Sequence, residues 1–454
     1  MSKTIAAVAT GNSVSGIGVI RISGDDAIEI AQKVFKAMDG TPLSSLNGYT
    51  AKYGNVYYNG ESLDNAVALV FRNPKSYTGE DVVELSVHGG IFIVEKTLEA
   101  VFAAGAVPAQ AGEFTKRAFL NGKIDLAQAE GVAALISAQG QEAAKASFNL
   151  LQGSLSNKIT KVLDELINCS ASMAAWVDYP DEEIPELQED ALQETLEKAK
   201  SALDELLKNY ENGIVMTQGV DTAIVGKPNA GKSTLMNMLS GVEKSIVTHI
   251  EGTTRDIVEN SVRLGNMVLH LSDTAGIRES DDVVEAIGIK KAIEKIDSAS
   301  LILAVFDGSS PLNDDDRMLI ESCKDKPCVA VVNKTDLESR LEIDEIKAHF
   351  EDIVFISAKN QDGADALEKT VKSLLGVENF DSSQPILANK RQKLCVSNAY
   401  EHICQALDGA HMGITYDAIN VMIDSAVDEL LSLTGKKATE EVVNNIFSRF
   451  CVGK

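Results

Sequence analysis

Residues 226–233, near the middle of the chain, have the composition and spacing of a phosphate-binding loop. They read Gly-Lys-Pro-Asn-Ala-Gly-Lys-Ser, which fits the pattern GxxxxGK[ST], and they lie between a strand-like run and a helical run. The glycines allow consecutive backbone N–H groups to converge on phosphate oxygens at a helix N-terminus, where the dipole favours an anion. We therefore expect Lys232 to reach the β- and γ-phosphates of a nucleotide and Ser233 to ligate Mg²⁺.

Four further segments carry residue types that suit nucleotide chemistry. Thr254, in Gly-Thr-Thr-Arg-Asp, can complete the Mg²⁺ shell once a γ-phosphate is present. In Asp-Thr-Ala-Gly, Asp273 is expected near the metal and the Gly276 N–H near the γ-phosphate. Asp336, in Asn-Lys-Thr-Asp, can accept both N1–H and N2–H of guanine, and adenine does not offer that pair of donors. Ser-Ala-Lys at 357–359 closes the same pocket.

In order and spacing, the five segments resemble the signatures of translation-factor-class GTPases, and they predict a GTP-binding domain. The predicted GTP-binding residues are Asn229, Ala230, Gly231, Lys232, Ser233, Thr234, Thr248, Thr253, Thr254, Asp273, Gly276, Asn333, Lys334, Asp336, Ser357, Ala358 and Lys359. Ile277 occupies the position where many GTPases carry a glutamine that orients the attacking water. An aliphatic side chain cannot orient water, so another group must do so, and the sequence alone identifies no arginine finger.

The elements around these motifs predict three kinds of domain. The first 115 or so residues alternate like strands, as at 66–71 and 81–87, with glycines between them, which indicates a small α+β domain. Residues 123–211 are rich in Ala, Gln, Leu and Glu with helical periodicity, and helical periodicity returns after about residue 380. Between these helical parts, short apolar runs alternate with helices, which indicates a parallel sheet covered on both faces.

The order helix, α/β, helix predicts that an α/β P-loop (Ras-like) GTPase domain is inserted into one all-α domain. The predicted multidomain organisation has an α+β domain at 1–118, the first helical half at 119–213, the GTPase domain at 214–378 and the second helical half at 379–454.

Composition and charge limit the possible partners. The chain has 454 residues, of which 44% are hydrophobic and 24% charged, so wholesale disorder is excluded. Its 42 Lys and Arg against 67 Asp and Glu give a net charge of −25, which excludes a uniformly basic nucleic-acid coat. Residues 178–211 hold 12 acidic and 3 basic residues, a net charge of −9, and we interpret them as a solvated helical surface.

Cysteine usage and hydropathy indicate a reduced chain outside membranes. Six cysteines in so long a chain form neither a disulfide framework nor the spacing of a zinc site. The N-terminal apolar stretch is too short and too polar for a signal peptide, and no run approaches the length of a membrane span. We expect a cytoplasmic protein that does not contact a membrane.

Five segments outside the GTPase motifs match one known family. They read SYTGEDVVEL at 76–85, HGG at 88–90, GEFTKRAFLNGK at 112–123, DLAQAE at 125–130 and FCVGK at 450–454. Because they span the N-terminal, helical and C-terminal regions in order, the whole chain resembles the MnmE (TrmE) family of tRNA-modification GTPases.

The resemblance implies that the N-terminal domain binds a formyl-tetrahydrofolate, with 5-formyl-tetrahydrofolate as the model ligand. Arg21, Glu84, Lys123 and Lys454 match the family's folate contacts. A carboxylate can accept two N–H bonds from a pterin edge, and cations suit a glutamate tail. Without the resemblance, Glu84 would be interpreted as a solvated strand residue.

The resemblance also implies a hydrolytic mechanism that needs neither the glutamine nor an arginine finger. Glu285, before Ala-Ile-Gly-Ile, matches the family's water-positioning glutamate, although it also lies in an acidic run. Family members hold K⁺ in place of the finger, partly through the P-loop asparagine, here Asn229, and through loop atoms around Thr248, Ile250 and Thr253. A cation there neutralises the charge that develops during phosphoryl transfer. The predicted Mg²⁺ ligands are Ser233 and Thr254.

Two groups of residues keep alternative interpretations. Cys451 makes a poor prenylation box, but it is either a buried helix-end thiol or the family's Cys-x-Gly-Lys cysteine near folate or tRNA, a candidate nucleophile on uridine C6. With Lys232 and Glu285 it completes the catalytic candidates. The visible tRNA-contact candidates are Lys116, Arg117, Lys390, Arg391 and Lys393, for which a solvated helix face is the commoner meaning.

The function implied by the resemblance is that of a K⁺-stimulated GTPase working with an FAD-dependent partner, MnmG (also called GidA), in a heterotetramer or larger complex. Together they add an aminomethyl- or carboxymethylaminomethyl-type group to C5 of the wobble uridine, U34, of certain tRNAs. The family also forms homodimers through the N-terminal domain. The acidic net charge predicts that tRNA binds weakly to the isolated chain. The rival is a non-catalytic switch GTPase in ribosome assembly or signalling, which has no need of a folate pocket.

Overall fold

The structure is a computed structural model that describes residues 3–11, 13–178, 189–241, 261–271, 296–297, 299–324 and 326–453. The described residues form two compact units. The first unit combines residues 3–133 with residues 427–453, and the second contains the described residues between 134 and 426.

The first unit is built on a sheet whose order in the described chain is β3-β4-β5-β6-β2-β1-β7. Its strands are β1 Ile5–Val8, β2 Gly18–Ser23, β3 Phe35–Ala37, β4 Thr50–Tyr58, β5 Glu61–Phe71, β6 Val82–Val87 and β7 Val107–Pro108. All neighbouring strands run antiparallel except β1 and β7, which are parallel.

Strand alternation gives this sheet two chemically different faces. Ile20, Ile22, Val83 and Leu85 are fully buried in one core with helices α1 (Ala27–Val34) and α2 (Ile91–Ala103). The residues between them point to the opposite face, so the register that pairs Arg21 with Glu84 brings two charged side chains together there. The strand pairing itself therefore assembles part of a polar site.

The C-terminal segment completes this unit. Helix Glu440–Phe447 is capped by Thr439, whose side chain accepts from the Val442 N–H, and its buried face joins an apolar cluster with Leu126 and Ala129. Beyond this helix, Val452 forms a bridge with Ala111, just before helix α3 (Glu113–Leu120). The end of the chain is thereby fixed against the N-terminal α+β region.

The second unit contains a sheet whose order among the described strands is β13-β12-β11-β8-β10-β9. The strands are β8 Val220–Val225, β9 Ser261–Leu264, β10 Met267–Leu271, β11 Leu301–Asp307, β12 Cys328–Asn333 and β13 Ile353–Phe355. All neighbours are parallel except β9 and β10, which are antiparallel. β11 is buried along its whole length, as expected for a central parallel strand.

Helices cover both faces of this sheet. Lys232–Gly241 and Ala364–Leu374 pack on one face, and Asp314–Ser322 and Ile343–Lys347 pack on the other. The other described helices that lie wholly or partly in this unit are the C-terminal part of Leu126–Ser137, Gln141–Leu151, Ser154–Asp178, Glu189–Lys208, Tyr210–Gln218, Lys390–His411 and the N-terminal part of Tyr416–Thr434. The helix Glu189–Lys208 packs along Lys390–His411, so helices before and after the sheet in sequence are neighbours in space.

The predicted fold class is confirmed: an α+β region, an all-α region and an α/β P-loop region occur in this chain. The domain boundaries stay predictions. Within Ser154–Asp178, the helical periodicity expected for residues 123–211 appears as a buried apolar stripe of Ile159, Val162, Leu163 and Leu166, whereas Ile167, the next residue, is 44% exposed. Among the described residues, no helix combines the length and the apolar composition that a membrane span requires.

Candidate functional site

The phosphate-binding loop connects β8 to the helix Lys232–Gly241 through left-handed backbone conformations. Gly226, Asn229 and Gly231 have φ angles of 158°, 60° and 99°. A Cβ atom on Gly226 would lie 2.4 Å from the Val305 carbonyl oxygen, and one on Gly231 would lie 2.1 Å from Asn333 Nδ2. The two motif glycines are therefore required by both backbone conformation and space.

At the end of this loop, Lys232 turns back over it. Its Nζ donates to the carbonyl oxygens of Gly226 and Lys227, each at 2.8 Å. The side chains of Ser233 and Thr234 are exposed in the first turn of the helix. This arrangement puts N–H groups, an ammonium and two hydroxyls at one helix N-terminus, which suits a phosphate chain, and the Ser233 oxygen is a ligand that Mg²⁺ accepts.

The Asn333 side chain connects three loops at the carboxyl ends of the strands. Asn333 is 2% exposed at the end of β12. Its Nδ2 donates to the Ala230 carbonyl at 3.1 Å, and its Oδ1 accepts from the backbone N–H groups of Lys334 at 2.8 Å and Ala358 at 3.1 Å. One amide therefore joins the phosphate-binding loop to the two loops predicted to hold guanine.

The carboxylate predicted to recognise guanine lies beside a hydroxyl donor. The Ser357 Oγ donates to Asp336 Oδ1 at 2.7 Å, and this hydrogen bond lowers the pKa of the exposed Asp336 carboxyl below its ordinary value. Asp336 is therefore ionised near neutral pH, as an acceptor of two guanine N–H groups must be.

A second acidic residue anchors the same loop. Lys334 has a left-handed backbone, with φ of 66°, and its Nζ donates to Asp307 Oδ2 at 2.6 Å. Burial raises the pKa of Asp307, but hydrogen bonds from Lys334 and Ser309 outweigh it, so the pKa lies below its ordinary value. Asp307 was missed in the sequence, although an acidic residue at the end of a buried parallel strand is a usable signal.

In the first unit, Arg21 and Glu84 form an ion pair on the outer face of the sheet. Arg21 Nε donates to Glu84 Oε1 at 2.8 Å, and the two side chains are 17% and 23% exposed. The Arg21 guanidinium also lies 5.7 Å from the Tyr77 ring centroid and 5.6 Å from that of Phe114. Two aromatic rings thus hold the guanidinium in place while it orients a carboxylate.

The end of the chain reaches the same arginine. The Gly453 carbonyl accepts from Arg21 Nη1 at 3.4 Å, and the Cys451 carbonyl accepts from the Gly112 N–H at 3.3 Å. The Cys451 side chain is half-buried. Lys123, another residue matched to the folate contacts, donates from its Nζ to the Pro74 carbonyl at 3.0 Å. The structure therefore brings the C-terminal segment to Arg21, an approach across 432 sequence positions.

Arg117 is not available to an external polyanion, which corrects its inclusion among the tRNA-contact candidates. It is 10% exposed, donates to both oxygens of Glu80 at 3.1 and 2.9 Å, and donates to Glu113 Oε1 at 2.8 Å. Buried charges need such partners, and the carboxylates of Glu80 and Glu113 supply them here. A basic pair in sequence does not show that its second member points into the interior.

The other basic candidates differ in their surroundings. Lys116 donates to Asn444 Oδ1 at 2.6 Å. Lys393 pairs with Glu211 at 2.8 Å and lies 4.3 Å from the centroid of the Tyr210 ring, whereas Lys390 is exposed. Arg391 also lies in the described helix Lys390–His411.

Comparison with known proteins supplies the family. The model described as "MnmE helical domain" matches residues 126–451, and the one described as "GTP-binding protein TrmE N-terminus" matches residues 4–123. The tRNA modification GTPase MnmE of Clostridioides difficile (strain 630) is 39% identical over 454 residues, with 99% of each chain covered. The chain belongs to the MnmE family. The tRNA modification GTPase MnmE of Streptococcus sanguinis (strain SK36) is 38% identical over 458 residues, covering 99% of this chain and 98% of that one.

A solved structure overlaps part of this MnmE-family chain. The crystal structure of Era in complex with MgGDPNP and nucleotides 1506–1542 of 16S ribosomal RNA is 31% identical over 40% of this chain and 66% of that chain, with a TM-score of 0.26.

In this MnmE-family chain, several predicted site residues lie outside the described part. They are Thr248, Ile250, Thr253, Thr254, Asp273, Gly276, Glu285 and Lys454. The described part contains no group of three or more His, Cys, Asp or Glu side chains that could hold a metal ion.

Proposed function

We propose that this chain hydrolyses GTP as part of tRNA modification. The observation that carries the proposal is its 39% identity over full length to a tRNA modification GTPase MnmE. The junction at Asn333, where the phosphate-binding loop meets both loops predicted to hold guanine, supports the GTP-binding step.

For GTP, Lys232 and the N–H groups at the helix N-terminus would bind the β- and γ-phosphates, and Asp336 would accept from N1–H and N2–H of guanine. Mg²⁺, held by Ser233 and Thr254, would neutralise charge on the phosphate oxygens. We further propose that Glu285 orients the attacking water. We also propose that Asn229, with atoms around Thr248, Ile250 and Thr253, holds K⁺ in place of an arginine finger.

For the modification, Arg21, Glu84, Lys123 and Lys454 would bind a formyl-tetrahydrofolate that supplies the one-carbon unit. The ion pair of Arg21 with Glu84 at 2.8 Å supports this assignment, because it holds a carboxylate ready to accept from a pterin edge. The acceptor would be C5 of the wobble uridine U34. Cys451, whose segment reaches Arg21 through Gly453, would act near that ligand. An FAD-dependent MnmG-type partner, a homodimer and a cytoplasmic location belong to the same proposal.

The decisive experiment is mass analysis of tRNA nucleosides from cells whose own gene is replaced by Lys232→Ala or Glu285→Ala. We expect both variants to lose the C5 modification of the wobble uridine. Lys369→Ala is the matched control, because Lys369 is exposed on the helix Ala364–Leu374 of the same α/β region. Unaltered wobble uridine in both variants would contradict the proposal.

Folate binding separates this proposal from a non-catalytic switch GTPase, and GTP turnover in two salts tests the role of K⁺. The chain should bind 5-formyl-tetrahydrofolate and Glu84→Ala should weaken that binding, whereas Glu61→Ala, exposed on the same sheet, should not. GTP turnover should be faster in KCl than in NaCl at equal ionic strength. Absence of folate binding would favour the switch, and equal turnover in the two salts would refute the role of K⁺.

A further inference from the structure

Lys227, the second residue of the phosphate-binding loop, has its side chain anchored in the interior of the α/β region. Its Nζ donates to Asp316 Oδ2 at 2.8 Å, to Ser310 Oγ at 3.1 Å and to the Pro311 carbonyl at 3.5 Å. The Lys227 and Asp316 side chains are 11% and 1% exposed. The three N–H donors of one ammonium thus meet three acceptors.

Asp316 is itself fixed by the helix that it helps to begin. Its backbone N–H donates to Asn313 Oδ1 at 2.9 Å, and its Oδ2 accepts from the Asn313 N–H at 3.2 Å, which completes a capping box at the helix Asp314–Ser322. The carboxylate that receives Lys227 therefore belongs to a rigid element.

The backbone of Lys227 also helps to hold the Lys232 side chain. The Lys227 and Gly226 carbonyl oxygens both accept from Lys232 Nζ at 2.8 Å. The later part of the loop is held by the hydrogen bond from Asn333 to the Ala230 carbonyl, and the beginning is held by the Lys227 side chain. The loop is thus fixed on both sides of the left-handed Asn229.

A purely stabilising role does not explain why an ion pair is used here. Removing two charges from water costs several kcal/mol per ion, and well-packed apolar residues often stabilise a buried position as well or better. The three directed hydrogen bonds of the Lys227 ammonium do hold its side chain in one geometry relative to Ser310, Pro311 and Asp316.

We propose that Lys227 and Asp316 are a positioning pair that sets the first turn of the phosphate-binding loop and so directs Lys232 toward the phosphates. The pair does not touch the nucleotide; it acts through the carbonyl oxygens that receive Lys232. The proposal rests on the GTP hydrolysis proposed above.

The test uses the full chain with Lys227→Met, Lys227→Arg and Asp316→Asn, and it measures the Kd of a fluorescent GTP analogue, kcat and KM for GTP, and the melting temperature. Lys227→Met and Asp316→Asn should each weaken nucleotide binding about tenfold and lower kcat/KM. Lys227→Arg should restore binding to within about threefold of wild type, because a guanidinium keeps the charge and several donors. Lys369→Ala should match wild type.

The double variant Lys227→Met with Asp316→Asn should bind nucleotide no more weakly than the worse single variant, because both changes remove one interaction. Additive losses of nucleotide affinity in the double variant would overturn the proposal that Lys227 and Asp316 act as a pair. Wild-type affinity and kcat/KM in Lys227→Met, or in Asp316→Asn if the first variant does not fold, would also overturn it. If the wild-type chain itself neither binds nor hydrolyses GTP, the proposed function fails. That outcome is distinguishable from failure of the positioning pair, because it is seen in the wild-type chain before any variant is compared.

Discussion

Replacing Asn333 by alanine should separate the phosphate-binding loop from the guanine-binding loops. The change removes three hydrogen bonds made by a side chain that is 2% exposed, at 2.8, 3.1 and 3.1 Å. A buried hydrogen bond contributes about 1 kcal/mol net, so the loss is about 3 kcal/mol. If all of it is expressed in nucleotide binding, Kd rises roughly a hundredfold, since about 1.4 kcal/mol corresponds to tenfold.

The assay is titration of the full chain with a fluorescent GTP analogue, with thermal melting alongside it. Asn360→Ala is the control, since Asn360 is exposed in the loop that follows β13. We expect Asn333→Ala to bind at least tenfold more weakly than Asn360→Ala while remaining folded at the assay temperature. Equal affinities of these two variants would refute the claim that Asn333 organises the site, whatever happens to the melting temperature.

Three further predictions concern other parts of the molecule. Gly453→Ala would place a Cβ 2.2 Å from the Val8 carbonyl oxygen at a residue whose φ is 97°, so it should displace the C-terminal segment from Arg21. Binding of 5-formyl-tetrahydrofolate, measured by calorimetry, should weaken about tenfold or more. GTP turnover should be unchanged and is the control. Arg117→Leu removes the buried cation that Glu80 and Glu113 both contact, so urea unfolding should show a loss of about 3–5 kcal/mol, and a loss under 1 kcal/mol would contradict the burial argument. The pKa of Asp307 lies below its ordinary value of 3.8, so its contribution to stability is present above pH 3.8 and is lost as the pH falls through the folded-state pKa. Asp307→Asn should therefore make the free energy of unfolding fall less steeply with decreasing pH in the acid range. An unchanged fall in that range would contradict the role of Asp307.

Much of the fold could be predicted because its signals are local. The glycines of the phosphate-binding loop specify left-handed conformations, and the buried runs of β11 and β12 specify central strands. The two faces of the N-terminal sheet also follow from alternation. Strand register does not follow from alternation, because a shift of one residue moves every side chain to the opposite face. A shared site for Arg21 and Glu84 could therefore be expected only from the resemblance to the MnmE family.

The rest depends on contacts between residues that are distant in sequence. Arg117 looks like a surface cation beside Lys116, yet its partner Glu80 is 37 positions away. Lys227 meets Asp316 across 89 positions, and Gly453 meets Arg21 across 432. A pattern of residue types within one segment contains no information about such partners, so these roles appear only in the fold.

GTP hydrolysis by this chain is best tested by turnover of GTP by the purified full chain, with ATP as the competing substrate and Lys232→Ala beside Lys369→Ala. We expect hydrolysis of GTP but not of ATP, abolished by Lys232→Ala and unaffected by Lys369→Ala, because Asp336 selects guanine and Lys232 binds the phosphates. Equal hydrolysis of ATP and GTP, or wild-type turnover by Lys232→Ala, would contradict it.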